Sequence, residues 1–426
     1  MTDATTDTQP DLPTDTTTEG TRTILVRCSG RDRPGITTGL LGVLAASRAA
    51  LYDMEQVVVR ERLTLDLLIG VAEGDDVLKE LLFHGWEQGL HLDFEVVEPT
   101  SSRVGLPRSI VTVIGPTLPP AALAGMTAAI ASGGGNIDRI ARLARYPVMS
   151  YEFVVVDGSM DAMRSALVAA AAEHRVDVSI QRQSLERRAK RLVVMDVDST
   201  LIQDEVIELL AAEAGCAAAV AEITARAMAG DLDFEASLTQ RVAKLAGTPV
   251  EVLERVREQV RLTPGARTFV RTLHRLGYTV ALVSGGFQAV IEPIARQLGI
   301  SHAMANHLEV VDGRLTGRLT GAVIDRAGKA TVLRDIAAAE GIPLEQTVAI
   351  GDGANDLDML AAAGLGIAFN AKPVVREQAD TAVSVPYLDA VLFLLGIRRD
   401  EIEEADAQDP DLHLDGLQPV PGIPPV

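Results

Sequence analysis

Thr23 to Cys28 is a short run of apolar and β-branched residues that predicts a strand, and the turn-rich Ser29-Gly30-Arg31-Asp32-Arg33-Pro34-Gly35 follows it. From Ile36 to Ser47, Leu40, Leu41, Val43 and Leu44 recur with the spacing of an amphipathic helix. Leu51–Arg60 and Leu63–Val71 predict further strands. The order returns about 85 residues later, with strand Ser109–Ile114, turn Gly115-Pro116, helix Ala121–Ala131 and strands Asn136–Leu143 and Met149–Val156. Helix Met160–His174 and strand Val176–Gln181 complete it, and Gly30 aligns with Gly115 and Asp53 with Asp138. This is a tandem β-α-β-β-α-β repeat, two α+β ferredoxin-like domains over 23–100 and 108–182.

Past a basic linker, Gln181 to Arg191, the texture changes. Apolar β-branched runs at Leu192–Val197, Val280–Ser284, Thr347–Ile350, Gly366–Ala368 and Thr381–Val385 alternate with helical patterns at Gly265–Leu276, Phe287–Leu298, Ala330–Glu340 and Asp356–Ala363. Strands apolar on both faces, separated by helices, predict an α/β doubly wound parallel sheet over 183–397. A purely helical insert, 205–261, interrupts it after the first strand.

Of the 426 residues, 47 % are hydrophobic and the net charge is −20, but the two ends, 1–22 and 400–426, carry −12 of it. Those ends are poor in large apolar groups and are expected to be disordered tails, 1–22 and 398–426. The body is only mildly acidic, which with 3 % aromatics argues against nucleic-acid and anionic-membrane partners. Two distant cysteines, Cys28 and Cys216, exclude a disulfide framework. No apolar run approaches the roughly 20 residues of a membrane span, and the first residues have no basic or apolar leader pattern. A cytoplasmic protein is expected.

Chemistry concentrates where the predicted strands end. Asp196-Val197-Asp198-Ser199-Thr200 closes the first buried strand, and residues two apart in extended chain share a side. Two adjacent carboxylates repel, so they call for a cation or for one to stay protonated. Ser284-Gly285-Gly286 closes the second strand, where a hydroxyl and bare backbone N–H groups suit an anion, although Ser-Gly-Gly is also a common turn. Gly351-Asp352-Gly353-Ala354-Asn355-Asp356 adds two acids in a glycine loop, suited to a hard cation or to helix capping. Lys329, one of five lysines in an arginine-dominated chain, offers a compact positive charge. The chain has neither a P-loop nor a dinucleotide fingerprint.

The ordered set Asp-x-Asp-x-Thr, Ser-Gly, Lys and Gly-Asp-Gly-x-Asn-Asp resembles the haloacid dehalogenase (HAD) superfamily of aspartyl-phosphate phosphatases. Asp196 to Glu205, Asp233 to Arg241 and Val283 to Phe287 are similar to its phosphoserine-hydrolysing family. The resemblance implies that Asp196 is the nucleophile and Asp198 the general acid and base. It implies Mg²⁺ held by Asp196, the backbone carbonyl of Asp198 and Asp352, with Asp356 and Thr200 supporting them. Ser284, Gly285 and Lys329 would hold the phosphoryl group, and Asn355 would assist there. In the insert, which matches the family's cap, Glu205 would meet the substrate ammonium, Arg241 its carboxylate, and Met228 and Phe234 would form apolar walls.

The repeated N-terminal modules resemble ACT domains, which implies amino-acid binding and a homodimer built through them. Asp32 and Gly35 match the ligand loop. The second copy has Pro119-Pro120 in place of Pro-Gly, leaving Gly125 as its candidate ligand-facing glycine. L-Serine is the expected regulator and phosphoserine the expected substrate of the final step of serine biosynthesis. Another phosphorylated amino acid, a phosphoserine-bearing protein, and an amino-acid sensor with a vestigial phosphatase domain stay open as alternatives, the last against the presence of every catalytic residue.

Overall fold

The computed structural model describes residues 21–98, 106–228 and 231–409. Residues 1–20 of the expected N-terminal tail, and those after 409 of the C-terminal one, lie outside them. The chain divides into two compact units, 1–105 and 106–426.

The first unit runs β1 (Thr21–Arg31), α1 (Ile36–Ala46), β2 (Ala50–Val59), β3 (Arg62–Ala72), α2 (Val77–Glu87) and β4 (His91–Val96). Its antiparallel sheet has the order β2-β3-β1-β4. Alternate residues of β3, Leu63, Leu65, Leu67 and Ile69, are buried against Leu40 and Leu81 of the two helices, the period-2 pattern of a sheet covered on one face. Gly35 opens α1 at φ 95°, a left-handed backbone that favours glycine.

The second unit begins with the repeat: β5 (Arg108–Gly115), α3 (Pro120–Ser132), β6 (Asn136–Ala144), β7 (Met149–Val156), α4 (Met160–His174) and β8 (Asp177–Arg182), in sheet order β6-β7-β5-β8. In both repeats a helix glycine leaves room for a histidine of the facing helix. A Cβ on Gly39 would lie 2.4 Å from His84 Nε2, and one on Gly125 2.5 Å from His174 Nε2. The His174 ring of its own domain thus stands beside Gly125.

After the short α5 (Leu185–Arg188) the phosphatase-like domain starts at β9 (Leu192–Met195), all of it buried. Four helices, α6 (Val206–Glu213), α7 (Ala217–Met228), α8 (Phe234–Ala243) and α9 (Val252–Gln259), make the insert. A bridge between Ile202 and Leu262 closes its base. There follow α10 (Ala266–Arg275), β10 (Thr279–Phe287), α11 (Gln288–Gln297), β11 (His302–Val311), β12 (Arg314–Thr320), α12 (Arg326–Ala339), β13 (Thr347–Gly351), α13 (Leu357–Ala362), β14 (Gly366–Phe369), α14 (Pro373–Gln378), β15 (Thr381–Val383) and α15 (Val391–Leu394). The seven-stranded sheet has the order β12-β11-β10-β9-β13-β14-β15. All its pairings are parallel except β11 with β12.

Two features depart from the expectations. The hairpin β11–β12 extends the sheet where no strand was predicted, because its apolar residues are interleaved with polar ones and most of its positions are at least partly exposed. The stretch expected to open a disordered tail at 398 instead forms a final helix, α16 (Arg399–Ala407). Asp406 of that helix pairs with Arg271 at 2.6 Å and with Arg275 at 2.5 Å, so its acids are docked as well as solvated.

Candidate active site

β9 lies between β10 and β13, and the carboxyl ends of these three strands meet at one point, the position where open α/β sheets bind ligands. Asp196, 3 % exposed, follows β9 directly, and its N–H donates to the Ile350 carbonyl. The chain then turns back through Ser199, whose φ of 57° is left-handed although it is not glycine, the kind of local strain that concentrates at functional sites. That turn lets Asp198 Oδ1 accept from Val206 N–H at 2.9 Å, at the start of α6.

Ser284, fully buried at the end of β10, donates from Oγ to Asp198 Oδ2 at 3.2 Å and accepts from Gly286 N–H at 2.8 Å. Gly286 has to lack a side chain, since a Cβ there would lie 2.8 Å from Asp198 Oδ2. A Cβ on Gly285 would meet the Phe234 ring at 2.8 Å, so this insert residue lies directly over the turn. Phe234 is brought there by the Asp233 cap of α8, whose Oδ1 accepts from Ala236 N–H at 2.7 Å.

Lys329 enters from the first turn of α12, whose cap is Asp325 Oδ1 accepting from Gly328 N–H at 2.7 Å. Its ammonium, completely buried, stands 2.7 Å from Asp196 Oδ1 and 2.7 Å from Asp356 Oδ1. Asp356 Oδ2 accepts from Gly353 N–H at 2.9 Å, which ties the glycine loop after β13 to the same centre. Asn355 stands in that loop beside Gly353. Asp356 thus joins Lys329 to the glycine loop. Carboxylate oxygens of Asp196, Asp352 and Asp356 all lie within 4.8 Å of one another, and a set of hard oxygen donors is what Mg²⁺ prefers. Thr200 is buried behind the loop, where its carbonyl accepts from Thr263 Oγ1 at 2.7 Å.

The crowding shows in the acidities. Burial, then Asp356, push the Asp196 carboxyl well up, with Lys329 opposing them. Burial also raises Asp198, against the Val206 N–H and Lys329. Asp352 rises to about 7 through burial and Asp356. Burial works against the charge on Lys329, but Asp196 and Asp356 outweigh it and hold the ammonium ionised. Titratable groups displaced by burial and by each other are a mark of a reactive site.

Toward the insert, Glu205 Oε1 accepts from Ser199 Oγ at 2.8 Å, and burial followed by the charge of Asp198 raises its carboxyl to about 7. Arg241, half-buried on α8, donates from Nε to the Ser237 carbonyl at 3.4 Å and feels the charges of Glu205 and Asp198. The predicted residues Asp196, Asp198, Glu205, Phe234, Arg241, Ser284, Gly285, Lys329, Asp352, Asn355 and Asp356 thus share one region. The Met228 side chain lies outside what is described. In the first unit, Asp32 lines a separate cavity of about 380 Å³ with Arg31, Arg33, Gln88 and Gly89. Sequence reasoning missed Asn306, a 2 % exposed side chain on β11 that donates to the Gly285 carbonyl at 2.8 Å. A single polar residue in an unpredicted strand carries no motif.

Comparison with known proteins agrees with this geometry. Residues 193–361 match the haloacid dehalogenase-like hydrolase family, and 22–95 and 109–181 each match an ACT domain family. The chain is 56 % identical to a phosphoserine phosphatase of Streptomyces coelicolor, covering 92 % of this chain and 96 % of that one. It is 48 % identical to a phosphoserine phosphatase of Mycobacterium tuberculosis, over 91 % and 96 %. A crystal structure of a probable phosphoserine phosphatase from Vibrio cholerae aligns with TM-score 0.56 and 36 % identity over 70 % of this chain and 89 % of that one. A HAD family hydrolase from Salmonella enterica aligns with TM-score 0.59 and 30 % identity over 67 % and 98 %. The chain belongs to the phosphoserine phosphatase family, with a HAD-like α/β hydrolase domain behind two ACT domains.

Proposed function

We propose that the protein hydrolyses O-phospho-L-serine to L-serine and inorganic phosphate, through phosphorylated Asp196. The observation that carries this reading is the setting of Asp196, a nearly inaccessible carboxylate at the end of the central strand, paired with Lys329 and faced by the Ser284–Gly286 bulge of β10 and the turn after β13. An Asp196 oxygen attacks phosphorus as the bond to the serine oxygen breaks, and the leaving alkoxide takes the proton of Asp198. Asp198, now ionised, then takes a proton from water, whose oxygen displaces Asp196 from phosphorus and releases phosphate. Burial raises the Asp198 carboxyl against the Val206 N–H and Lys329, the direction its first role as an acid requires.

Ser284 Oγ, the Gly285 N–H and the Lys329 ammonium hold phosphoryl oxygens while charge moves, and Asn355 assists at the leaving oxygen. Asp196, the Asp198 carbonyl and Asp352 would hold Mg²⁺, which when bound screens the repulsion between nucleophile and phosphoryl group. Asp356 keeps Lys329 and the Gly353 loop in place. Glu205 takes the substrate ammonium and Arg241 its carboxylate in a bidentate fork. Asp196→Asn is expected to lower kcat by more than about 10³-fold with the fold intact by circular dichroism. Full activity of that variant refutes the nucleophile.

In the same reading the ACT pair binds L-serine as a feedback ligand and joins two chains as a homodimer. Support for the ligand is the cavity beside Asp32, next to the left-handed Gly35 that opens α1. Support for the dimer is β2, an edge strand exposed along its whole length, including Leu51, Tyr52 and Met54. Serine inhibition that survives Asp32→Ala unchanged removes the first, and a monomer in sedimentation removes the second.

A further inference from the structure

β10 and β11 pair in register from Ala281–His302 to Val283–Met304 and resume at Phe287–Asn306, so Ser284, Gly285 and Gly286 leave the ladder. Backbone groups freed in a buried place need other partners. The Asn306 side chain supplies one: Nδ2 donates to the Gly285 carbonyl at 2.8 Å, while Oδ1 accepts from Ile324 N–H at 2.8 Å. One partner can only accept and the other only donate, so the amide has a single orientation. The peptide joining Gly285 to Gly286 is then held at both ends, because its N–H donates to Ser284 Oγ at 2.8 Å. With that lone pair occupied, the Ser284 proton is left to point at the site, where Asp198 Oδ2 lies 3.2 Å away.

We infer that Asn306 is a positioning residue for phosphoryl transfer: through the Gly285–Gly286 peptide it aims the Ser284 hydroxyl at the reacting group. It acts through its two backbone partners, the Gly285 carbonyl and the Ile324 N–H. The assignment rests on the proposed role of Ser284, and it deepens that role by naming what holds the hydroxyl. Asparagine is required because the place needs a donor and an acceptor on one short planar group. Alanine offers neither, leucine fills the space without bonding, and an ionised aspartate keeps the acceptor for Ile324 but loses the donor for Gly285.

The test is a double-mutant cycle on the full chain with phosphoserine and Mg²⁺, well below the melting temperature of each variant. Asn306→Ala is expected to lower kcat by about 10- to 100-fold, with KM changed less than about threefold. In a Ser284→Ala background the same substitution should cost less than about twofold, because the link it acts through is gone. A loss that multiplies in full means a merely structural residue and overturns the inference, as does an unchanged kcat for Asn306→Ala. If the alanine variant does not fold, Asn306→Asp at alkaline pH takes its place in the cycle with the same expectations. Full activity of Ser284→Ala would instead sink the underlying reading of Ser284, and this inference with it, so the two failures are distinguishable.

Discussion

Lys329 Nζ stands 2.7 Å from Asp196 Oδ1, and neither side chain is more than 4 % exposed. A buried ion pair is weak evidence of stability, because desolvation offsets most of its attraction. Here the ammonium also meets Asp356 at 2.7 Å, so one cation answers two buried acids. Such an arrangement is costly to hold unless the excess negative charge has a use, and a divalent cation or a transferring phosphoryl group provides one.

Lys329→Met therefore leaves two buried carboxylates without their cation. The expected result is a loss on the order of 3 kcal/mol in metal-free protein, together with a fall in kcat of about 10²-fold or more. Added Mg²⁺ should recover part of the melting temperature but little of the activity, since the charge on the phosphoryl oxygens is still unmet. A variant that melts like the parent in the absence of metal contradicts the account.

Arg241 sits on the insert with much of its guanidinium uncommitted, held by one bond to Ser237. If that fork receives the substrate carboxylate, Arg241→Ala should raise KM for phosphoserine by about 100-fold. p-Nitrophenyl phosphate has no carboxylate, and its KM should move less than about threefold. Equal effects on both substrates would remove the recognition role and leave Arg241 as a general electrostatic residue.

Glu205 has a raised acidity, about 7 against an ordinary 4.5, caused by burial and then by Asp198. A carboxyl whose folded pKa is raised binds protons in the native state that the unfolded state has released, so stability falls as pH climbs from about 4.5 to 7. Glu205→Gln should therefore melt like the parent at pH 5 and above it at pH 8, by an amount on the order of 2–3 kcal/mol. Binding moves the other way. An ammonium group needs the ionised carboxylate, so KM for phosphoserine should drop as pH rises through about 7, and the glutamine variant should lose that slope.

The centre was legible because buried strands leave strong marks. Leu192–Met195 is apolar throughout and buried on both faces, so the sequence alone places the acids that follow it at a strand end. Asn306 was invisible for the opposite reason: its strand mixes apolar with polar residues and is only partly buried, and its value arises only because the Ser284–Gly286 bulge strips the neighbouring ladder. A helix glycine such as Gly125 reads the same in sequence whether it admits a ligand or a neighbouring side chain, and the His174 ring beside it could not be foreseen. The helix at Arg399–Ala407 was hidden by composition. Counting acids cannot show that Arg271 and Arg275 wait for Asp406, or that Arg399 pairs with Asp389 at 2.8 Å.

The two ACT domains differ in how they are built into the chain. The first has a self-contained core, Ile24 to Leu90, inside its own compact unit. The second shares the core of the hydrolase: Ile114, Leu143, Ala144 and Val148 cluster with Val391 and Ile402. Their edge strands meet as well, with Ser384 N–H donating to Asp177 Oδ2 at 2.7 Å and Thr381 Oγ1 to the Val178 carbonyl at 3.3 Å. Arg187 seals the junction to Glu152 at 2.9 Å, the two side chains 9 % and 11 % exposed. Deleting 1–105 should therefore leave kcat within about twofold and the melting temperature within a few degrees, at about 2–4 °C per kcal/mol. Deleting 1–183 strips apolar surface from the hydrolase core, so the truncated protein should melt at least about 10 °C lower or aggregate. Arg187→Ala in the full chain tests the same junction with one atom group, at an expected cost of about 3 kcal/mol from the stranded Glu152. If the two truncations melt alike, the second ACT domain is an appendage, and any signal it sends to Asp196 has to travel by another route.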